Sequence, residues 1–170
     1  PTDANAAQDL VTQRLAFFDR YLKGNKKAIV QQNRTRVYVT GAEGSDANRW
    51  INAPTFPVPG TEALKFYLHS EGDARSFPSD GRLSHDEPAN EAPDHYVYDP
   101  ALPTPTEAGF LQDRRDIEIR SDVLTYTTAP LNEPLTILGD MQLTLYAATD
   151  CKDTDWFAQV TEVFPDGRSI

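Results

Sequence analysis

The first part of the chain carries the pattern of one amphipathic helix. Between Ala7 and Leu22 the apolar residues recur at spacings of four, three and four, which places them on one helical face: Val11, Leu15, Phe18 and Leu22. Asp3 or Asn5 is expected to cap the start. Lys23-Gly24 supplies the cation and the glycine typical of a helix end.

Three aromatic side chains crowd the end of this predicted helix: Phe17, Phe18 and Tyr21. A double phenylalanine left in water would form an apolar patch, which soluble monomers avoid. We therefore expect these three residues to lie at a domain interface, against strands or against another domain.

Beyond Gly24 the pattern changes to short β-branched, aromatic and aliphatic runs that are typical of strands. Five such runs come first: Arg36–Thr40, Ala63–His69, Asp94–Tyr98, Asp116–Ile119 and Val123–Thr127. Three stronger runs follow: Leu135–Leu138, Met141–Ala147 and Trp156–Phe164. Residues 70–93 are polar, so we expect a long loop there with at most short edge strands. Many short strands without a second helix predict a mainly β fold, an antiparallel β-sandwich.

Composition fits one folded domain. A chain of 170 residues, 39% of them apolar, can bury one core. The formal charge of −10 would repel nucleic acid. The single cysteine, Cys151, cannot form an internal disulfide, and no Cys/His spacing resembles a zinc site.

No apolar run reaches the ~18 residues that span a bilayer, and no charged-then-apolar leader opens the chain, so we expect no membrane contact. The chain starts at Pro1, and Ile170 follows a turn-like Pro-Asp-Gly-Arg as if another strand were beginning. We interpret the chain as a piece of a longer protein. Its compartment, cytoplasmic or secreted, stays open.

Five motifs occur in a distinctive order. They are FFDRYLKG at 17–24, YDPALPTPT at 98–106, RSDVLTYTT at 120–128, DTDWF at 153–157 and VFPDGR at 163–168. Each is weak alone, but the ordered series resembles the end of serine hydrolases typified by Xaa-Pro dipeptidyl-peptidase, cocaine esterase, glutaryl acylase and the α-amino-acid ester hydrolases.

This resemblance implies a domain organisation. Residues 1–24 would be the terminal helix of an upstream α/β-hydrolase domain, and residues 25–170 a C-terminal jelly roll of the galactose-binding-like kind, incomplete at its C-terminus. The hydrolase domain of the same polypeptide would carry a Ser-His-Asp triad, and the jelly roll would pack against it and help to shape the substrate pocket. No cofactor and no metal are implied. Unpaired strand edges would favour a homo-oligomer if the piece were produced alone.

The chain shows no sequence signal for catalysis of its own. A Gly-x-Ser-x-Gly elbow is absent, and the nearest approach, Gly44–Asn48, predicts a turn. A triad would need a histidine beside a serine and an acid. His69 and His95 are expected at strand ends and His85 in the polar loop, so we expect no catalytic residue here.

Two further groups leave alternatives open. Asp150, Asp153 and Asp155 have oxygens that suit calcium but lack the spacing of an EF-hand, so turn formation is favoured. Trp50 and Trp156 could stack on a sugar, because carbohydrate-binding modules share this architecture, but core or interface packing is favoured. The rival function is therefore a carbohydrate-binding or adhesive β-sandwich.

Phe110 and Leu111 form a candidate wall of the substrate pocket. The two prolines of Pro103-Thr-Pro-Thr106 keep the backbone extended, and Gly109 permits a turn before these two apolar residues. A free surface loop would be polar, so something should cover them. In the family that the chain resembles, this loop meets the substrate pocket. Packing into the chain's own core is the alternative.

Overall fold

The computed structural model describes residues 6–7, 9–28, 35–41, 45–75, 78–105 and 112–170. Their fold is β-rich with few helices, as predicted. The elements are α1 (Leu10–Tyr21), β1 (Thr35–Val39), β2 (Arg49–Ala53), β3 (Tyr67–His69), β4 (Arg82–Ser84), α2 (Arg115–Glu118) and β5 (Thr127–Thr128). Of the described helices, neither has the length and apolar character needed to cross a membrane.

The chain separates into two units. One comprises Pro1–Glu62 with Thr136–Gln142, and the other Ala63–Leu135 with Leu143–Ile170. The first contains α1 and the β1–β2 pair, and the second contains the remaining elements. The domain boundary predicted between residues 24 and 25 stays a prediction.

The predicted N-terminal helix forms as α1. Its cap is Asp9, whose carboxylate accepts a hydrogen bond from the Thr12 amide at 2.9 Å, whereas Asp3 and Asn5 lie outside the described residues. The hydrogen bonds from the Thr12 hydroxyl and amide lower the pKa of Asp9. At the other end Gly24 has a φ of 68°, which confirms the predicted glycine stop.

In the first unit β1 and β2 form an antiparallel pair in which Tyr38 lies opposite Trp50. β1 confirms the predicted strand, while β2 carried no clear strand pattern. The Arg36 guanidinium covers the Trp50 ring at 4.2 Å from its centre, and the Tyr38 ring lies 5.1 Å away. Ala53 is buried at the end of β2.

The second unit contains a three-stranded sheet in the order β3-β4-β5. β3 and β4 are antiparallel, with Leu68 opposite Leu83, but β4 and β5 are parallel, with Leu83 opposite Thr128. β4 lies inside the segment expected to hold edge strands at most, and that expectation was wrong because β4 is central. The prediction of a wholly antiparallel fold was wrong, because β5 pairs with β4 in parallel.

Gly81, the residue before β4, approaches Thr125, which lies two residues before β5, because it has no side chain. A Cβ atom at this position would overlap the Thr125 carbonyl oxygen and meet the Ala74 side chain at 3.1 Å. Thr127 donates from its amide to the Gly81 carbonyl at 3.2 Å. Only a residue without a side chain permits this approach.

The predicted strand at 116–119 is wrong, because the segment forms one helical turn, α2. The Asp113 carboxylate accepts from the Arg115 amide at 3.2 Å, and the Glu118 amide donates to the Arg114 carbonyl at 2.9 Å. These local hydrogen bonds close a turn. The alternation Ile-Glu-Ile spans too few residues to distinguish a strand from a turn.

The strands predicted at Asp94–Tyr98 and in the last third of the chain are absent from the described residues. Beyond β5 the described chain forms a single isolated bridge, between Val163 and Ser169. Tyr146 is 100% exposed and Phe157 96% exposed. A strand needs a neighbour for its amides and carbonyls, and among the described residues only the end of the last run has one, where the Glu162 amide donates to the Ile170 carbonyl at 2.8 Å.

The chain end turns back as predicted at Pro165–Arg168. The Gly167 amide donates to the Phe164 carbonyl at 2.8 Å, and the Phe164 amide donates to Arg168 at 2.8 Å. Buried Ser169 then donates to Glu118 at 2.5 Å. Polar contacts therefore join this hairpin to α2.

Candidate functional site

Three polar groups surround the side chain of His69. His69 ends β3, as predicted, and is 6% exposed. Its Nδ1 lies 2.6 Å from the Glu91 carboxylate, while its Nε2 lies 3.0 Å from the Ser84 hydroxyl and 3.0 Å from the Asp86 carbonyl oxygen. A serine, a histidine and an acid therefore meet in the order found in a hydrolase triad.

The hydrogen bonds of this cluster argue against a catalytic role. The Asp86 carbonyl oxygen lies as close to Nε2 as the Ser84 hydroxyl does, at 3.0 Å, so Nε2 is not reserved for the hydroxyl as it would be in a triad. The Ser84 hydroxyl also accepts from the Asp86 amide at 3.2 Å. The geometry is that of a structural clamp.

The charge of Glu91 supports this assignment. The hydrogen bond from His69 is the largest of the effects that lower the pKa of Glu91, against a smaller opposing effect of burial. Glu91 also accepts from the Ser70 amide at 3.3 Å. The Glu91 carboxylate therefore joins two successive residues at the end of β3.

The other two histidines lie elsewhere. His85 follows β4, where its Nδ1 contacts the Lys65 carbonyl at 2.6 Å and its ring packs on Phe66 at 4.4 Å. His85 thus lies in the segment predicted for it. His95 is exposed and belongs to no strand, so its predicted position at a strand end was wrong.

Asp94 is the centre of a second polar cluster. One carboxylate oxygen accepts from the Tyr126 hydroxyl at 2.6 Å and the Ser70 hydroxyl at 2.7 Å. The other accepts from the Ala74 amide at 2.8 Å. Burial alone would raise the pKa of Asp94, but these three hydrogen bonds outweigh it and the pKa is lowered. Burial, followed by the bond to Asp94, raises the pKa of Tyr126.

Two of the sequence motifs meet at the base of the proline-containing loop. The Arg120 guanidinium donates to the Leu102 carbonyl at 2.9 Å and to both oxygens of Asp122 at 2.8 and 2.6 Å. The Leu102 amide donates to the Asp99 carbonyl at 2.9 Å. These hydrogen bonds therefore hold Leu102 in place at the start of the loop. Phe110 and Leu111, the candidate pocket wall, lie outside the described residues.

The candidate interface residues of α1 form an aromatic cluster. The Phe17 ring lies 4.7 Å from Tyr21 and 5.7 Å from Phe18. Phe17 and Phe18 are each 49% exposed, and Tyr21 is 62% exposed. No residue of α1 is buried. The partner surface expected for these rings stays a prediction.

The remaining candidates show packing contacts. Arg36 covers Trp50, and the half-exposed Trp156 lies in a T-shaped arrangement with Tyr96, with 6.0 Å between the ring centres. The Cys151 amide donates to the Thr149 hydroxyl at 3.1 Å, a turn beside the acidic residues 150–155. In the described part of the chain, no cluster of three or more His, Cys, Asp or Glu residues could hold a metal ion.

Sequence reasoning missed the partners of the buried histidine. Ser84 and Glu91 lie 15 and 22 residues from His69 in sequence, within the segment 70–93 that was predicted as a polar loop. The central strand β4 brings Ser84 to β3. No local pattern signals such contacts, because they depend on which strands pair.

Known proteins match nearly the whole chain. A family model described as X-Pro dipeptidyl-peptidase C-terminal non-catalytic domain matches residues 23–169. Cocaine esterase from Rhodococcus sp. (strain MB1 Bresler) is 35% identical over 172 residues, which cover 96% of this chain and 29% of the esterase. A putative serine esterase from Mycobacterium bovis is 29% identical over 165 residues, which cover 91% of this chain and 24% of that protein.

The chain thus spans under a third of the length of the curated relatives it matches. The family match covers most of the chain, includes four of the five motifs and part of the fifth, and describes a non-catalytic domain. The chain belongs to the family of X-Pro dipeptidyl-peptidase C-terminal non-catalytic domains.

Proposed function

We propose that this chain is the accessory β-rich part of a serine hydrolase and that it supports an α/β-hydrolase domain in the same polypeptide. The parent would cleave an acyl bond through an acyl-enzyme, with nucleophile and base supplied by the hydrolase domain. The relatives named as esterases favour an ester over a peptide substrate. The completed fold would be a jelly roll.

The exposed aromatic face of α1 is the observation that supports this proposal most directly. Leu15, Phe18 and Leu22 share one helical face, and Leu22 is 77% exposed. An amphipathic helix gains most of its stability from packing that face, so α1 requires a covering surface. The catalytic domain of the same polypeptide is the occupant that we assign.

Substitutions in the full-length protein test the role of α1. Replacing Phe17 and Phe18 together by Ser should lower the free energy of unfolding, by about 2 kcal/mol for each ring that is buried. Asp19→Ala is the matched control, since it removes only an exposed ion pair with Lys23. Equal thermal unfolding and equal activity of the double variant and the wild type would overturn the proposed contact.

A fluorophosphonate probe tests the division of chemistry. Treated with the probe, the full-length protein should be labelled at one serine outside these 170 residues, and hydrolysis should stop. Ser84 should stay unlabelled, because its hydroxyl already accepts from the Asp86 amide and the matching family model describes a non-catalytic domain. Stoichiometric labelling of Ser84 would show that the chain performs the chemistry itself.

We also propose that the loop after Thr106 contributes to the substrate pocket through Phe110 and Leu111. The support is the anchoring of its base by Arg120, which fixes Leu102. The rival sugar-binding function receives less support. The guanidinium of Arg36 covers one face of Trp50, so a sugar could not stack on that face.

A further inference from the structure

The positive charge of the chain is concentrated on α1 and the turn that follows it. Residues 14–27 contain five of the 16 Lys and Arg residues but one of the 26 acidic residues. The basic residues, all exposed, are Arg14, Arg20, Lys23, Lys26 and Lys27, and the acidic one is Asp19. A chain with a formal charge of −10 therefore presents a local basic surface, which we call the basic segment 14–27.

Hydrogen bonds hold the turn after α1 against the end of the helix. The Arg20 guanidinium donates to the carbonyls of Lys26 and Ala28 at 3.4 and 3.5 Å. The Asn25 amide donates to the Asp19 carbonyl at 2.9 Å. The two lysines of this turn are therefore held beside the last turn of α1.

The negative end of the helix dipole accounts for only part of this charge. The dipole favours cations in the last turn and directly after it, which explains Lys23, and Lys23 also pairs with Asp19 at 2.7 Å. Arg14 lies in the second turn of α1, far from this end. Within the part of the chain that the structure describes, Arg14, Lys26 and Lys27 form no ion pair. Their charge is available to another surface.

These three cations lie at the two ends of the exposed apolar face of α1. Arg14 precedes Phe17 and Phe18 by three and four positions, so it lies one turn earlier on the same side of the helix. Leu22, at the other end of the face, is exposed and comes just before the turn that contains the two lysines. An apolar patch with carboxylates at its border would complement this arrangement.

We propose that the basic segment 14–27 docks on an acidic surface of the hydrolase domain, where carboxylates border the apolar patch that receives the aromatic face of α1. The proposal rests on the proposed function, which assigns that domain as the occupant, and adds the chemistry of its surface. The matched part of the cocaine esterase is 29% of that protein, so most of such a polypeptide is available to carry the surface. Opposite charges would fix the orientation in which the two surfaces meet.

Carbodiimide cross-linking of the full-length protein tests the charge of the docking surface. The reagent couples a lysine amine to a carboxylate only where the two groups are in contact. We expect mass spectrometry to find Lys26 or Lys27 joined to an Asp or Glu outside these 170 residues. The cross-link between Lys23 and Asp19 is the internal positive control. Lys26→Arg with Lys27→Arg should lose the expected cross-links and keep the melting temperature, because the charge remains while the amine is gone.

A longer reagent that joins two amines separates failure of this proposal from failure of the proposed function. If it joins Lys26 or Lys27 to the hydrolase domain while carbodiimide does not, α1 lies on that domain but the acidic surface is overturned. If neither reagent gives a link to that domain, both proposals are overturned. Carbodiimide links from these lysines to acidic residues of this chain alone would also overturn the acidic surface.

Charge reversal is an independent test. Lys26→Glu with Lys27→Glu should lower the melting temperature of the full-length protein by about 2 °C at low salt. The difference should vanish in about 0.5 M NaCl, because salt screens exposed charges. Lys65→Glu with Lys152→Glu is the matched control, since it changes the net charge equally at two exposed lysines elsewhere. Equal melting temperatures of the two variants, or a difference that persists in salt, would overturn the acidic surface.

A membrane is the competing occupant, because basic amphipathic helices with aromatic residues also bind anionic lipid. The full-length protein is sedimented with vesicles of phosphatidylserine and phosphatidylcholine. We expect the wild type to stay in the supernatant, as the variant with Lys26→Glu and Lys27→Glu does. Sedimentation of the wild type but not of this variant would show that the basic segment is open to lipid, and would overturn its docking on the hydrolase domain.

Discussion

The carboxylate of Asp94 and the aromatic face of α1 differ in how far the described chain supplies contacts for them. Asp94 finds three donors within the chain, each between 2.6 and 2.8 Å from its oxygens. Phe17, Phe18 and Tyr21 contact one another but stay about half exposed or more. Polar groups are thus satisfied locally while large apolar surfaces are not. The described chain is organised by its hydrogen bonds, and its apolar residues are available to a partner surface.

Removing the Asp94 carboxylate gives the largest effect that we expect. Asp94→Ala leaves the Tyr126 hydroxyl and the Ala74 amide without their acceptor in a partly buried site, so the full-length protein should lose about 3 kcal/mol of unfolding free energy. Urea unfolding followed by circular dichroism measures the loss. Asp99→Ala is the control, since Asp99 accepts from one exposed amide, that of Ala101. If both variants lose the same amount, the cluster does not organise this region.

A methyl group at Gly81 should have the next largest effect. Gly81→Ala forces the Thr125 carbonyl away from β4 and should cost about 2 kcal/mol through overpacking. Gly41→Ala is matched, because its Cβ would meet only the Asn48 side chain, at 3.4 Å. Thermal unfolding of the two variants compares them. Equal melting temperatures would show that the approach of β4 to residue 125 is not tight in solution.

Substitution of Phe110 and Leu111 tests whether apolar residues of this chain contact the substrate of the full-length enzyme. Replacing both with Ala in the full-length enzyme should raise KM or alter acyl preference about tenfold, with little change in melting temperature, because pocket walls contribute binding more than folding. Steady-state kinetics with two acyl esters measures the change. A large fall in melting temperature with unchanged kinetic constants would instead place these residues in the domain's own core.

Acid should weaken the polar clusters by a smaller, graded amount. The pKa values of Asp94 and Glu91 are lowered, and the Arg115 guanidinium is the main cause that lowers the pKa of Asp113 to about 2. A lowered pKa means that the native state binds the proton less tightly than the unfolded chain does. The stabilisation is therefore complete above the ordinary values of 3.8 and 4.5 and is lost as the pH falls below them.

Urea unfolding at neutral pH and at about pH 3 measures this loss, since carboxyl groups take up protons between the two. Asp94→Asn removes one of the titrating groups, so its stability should change less between the two pH values than that of the wild type. An identical change in both proteins would mean that Asp94 does not contribute to acid sensitivity.

The sequence predicted those elements whose signals are local. α1 has an apolar period over its whole length and a glycine at its end, and β1 is a dense β-branched and aromatic run. β2 escaped notice because Arg49–Ala53 alternates only weakly and is fixed by its pairing with β1. The late runs have strong strand patterns but form no ladder among the described residues, because a strand pattern cannot supply a partner.

The same limit applied to the candidate site. The position of His69 at a strand end followed from the sequence, but its contacts with Glu91 and Ser84 depend on which strands pair. Asp94 was predicted as the first residue of a strand. In the structure it lies outside the strands, and its side chain accepts three hydrogen bonds from residues distant in sequence. Residues whose role depends on distant partners carry no local pattern.

The parallel pairing of β4 with β5 has a consequence for the order of folding. β3 and β4 are separated by a short stretch and can meet early, whereas Arg82 pairs with Thr127 only after the long intervening chain has closed. Closing such a loop costs entropy before any contact compensates for it, so pairings distant in sequence form slowly. Amides at the β3–β4 junction should therefore gain protection before those of Thr127 and Thr128 during refolding. A nascent chain would hold an unpaired edge of β4 until residue 128 has emerged.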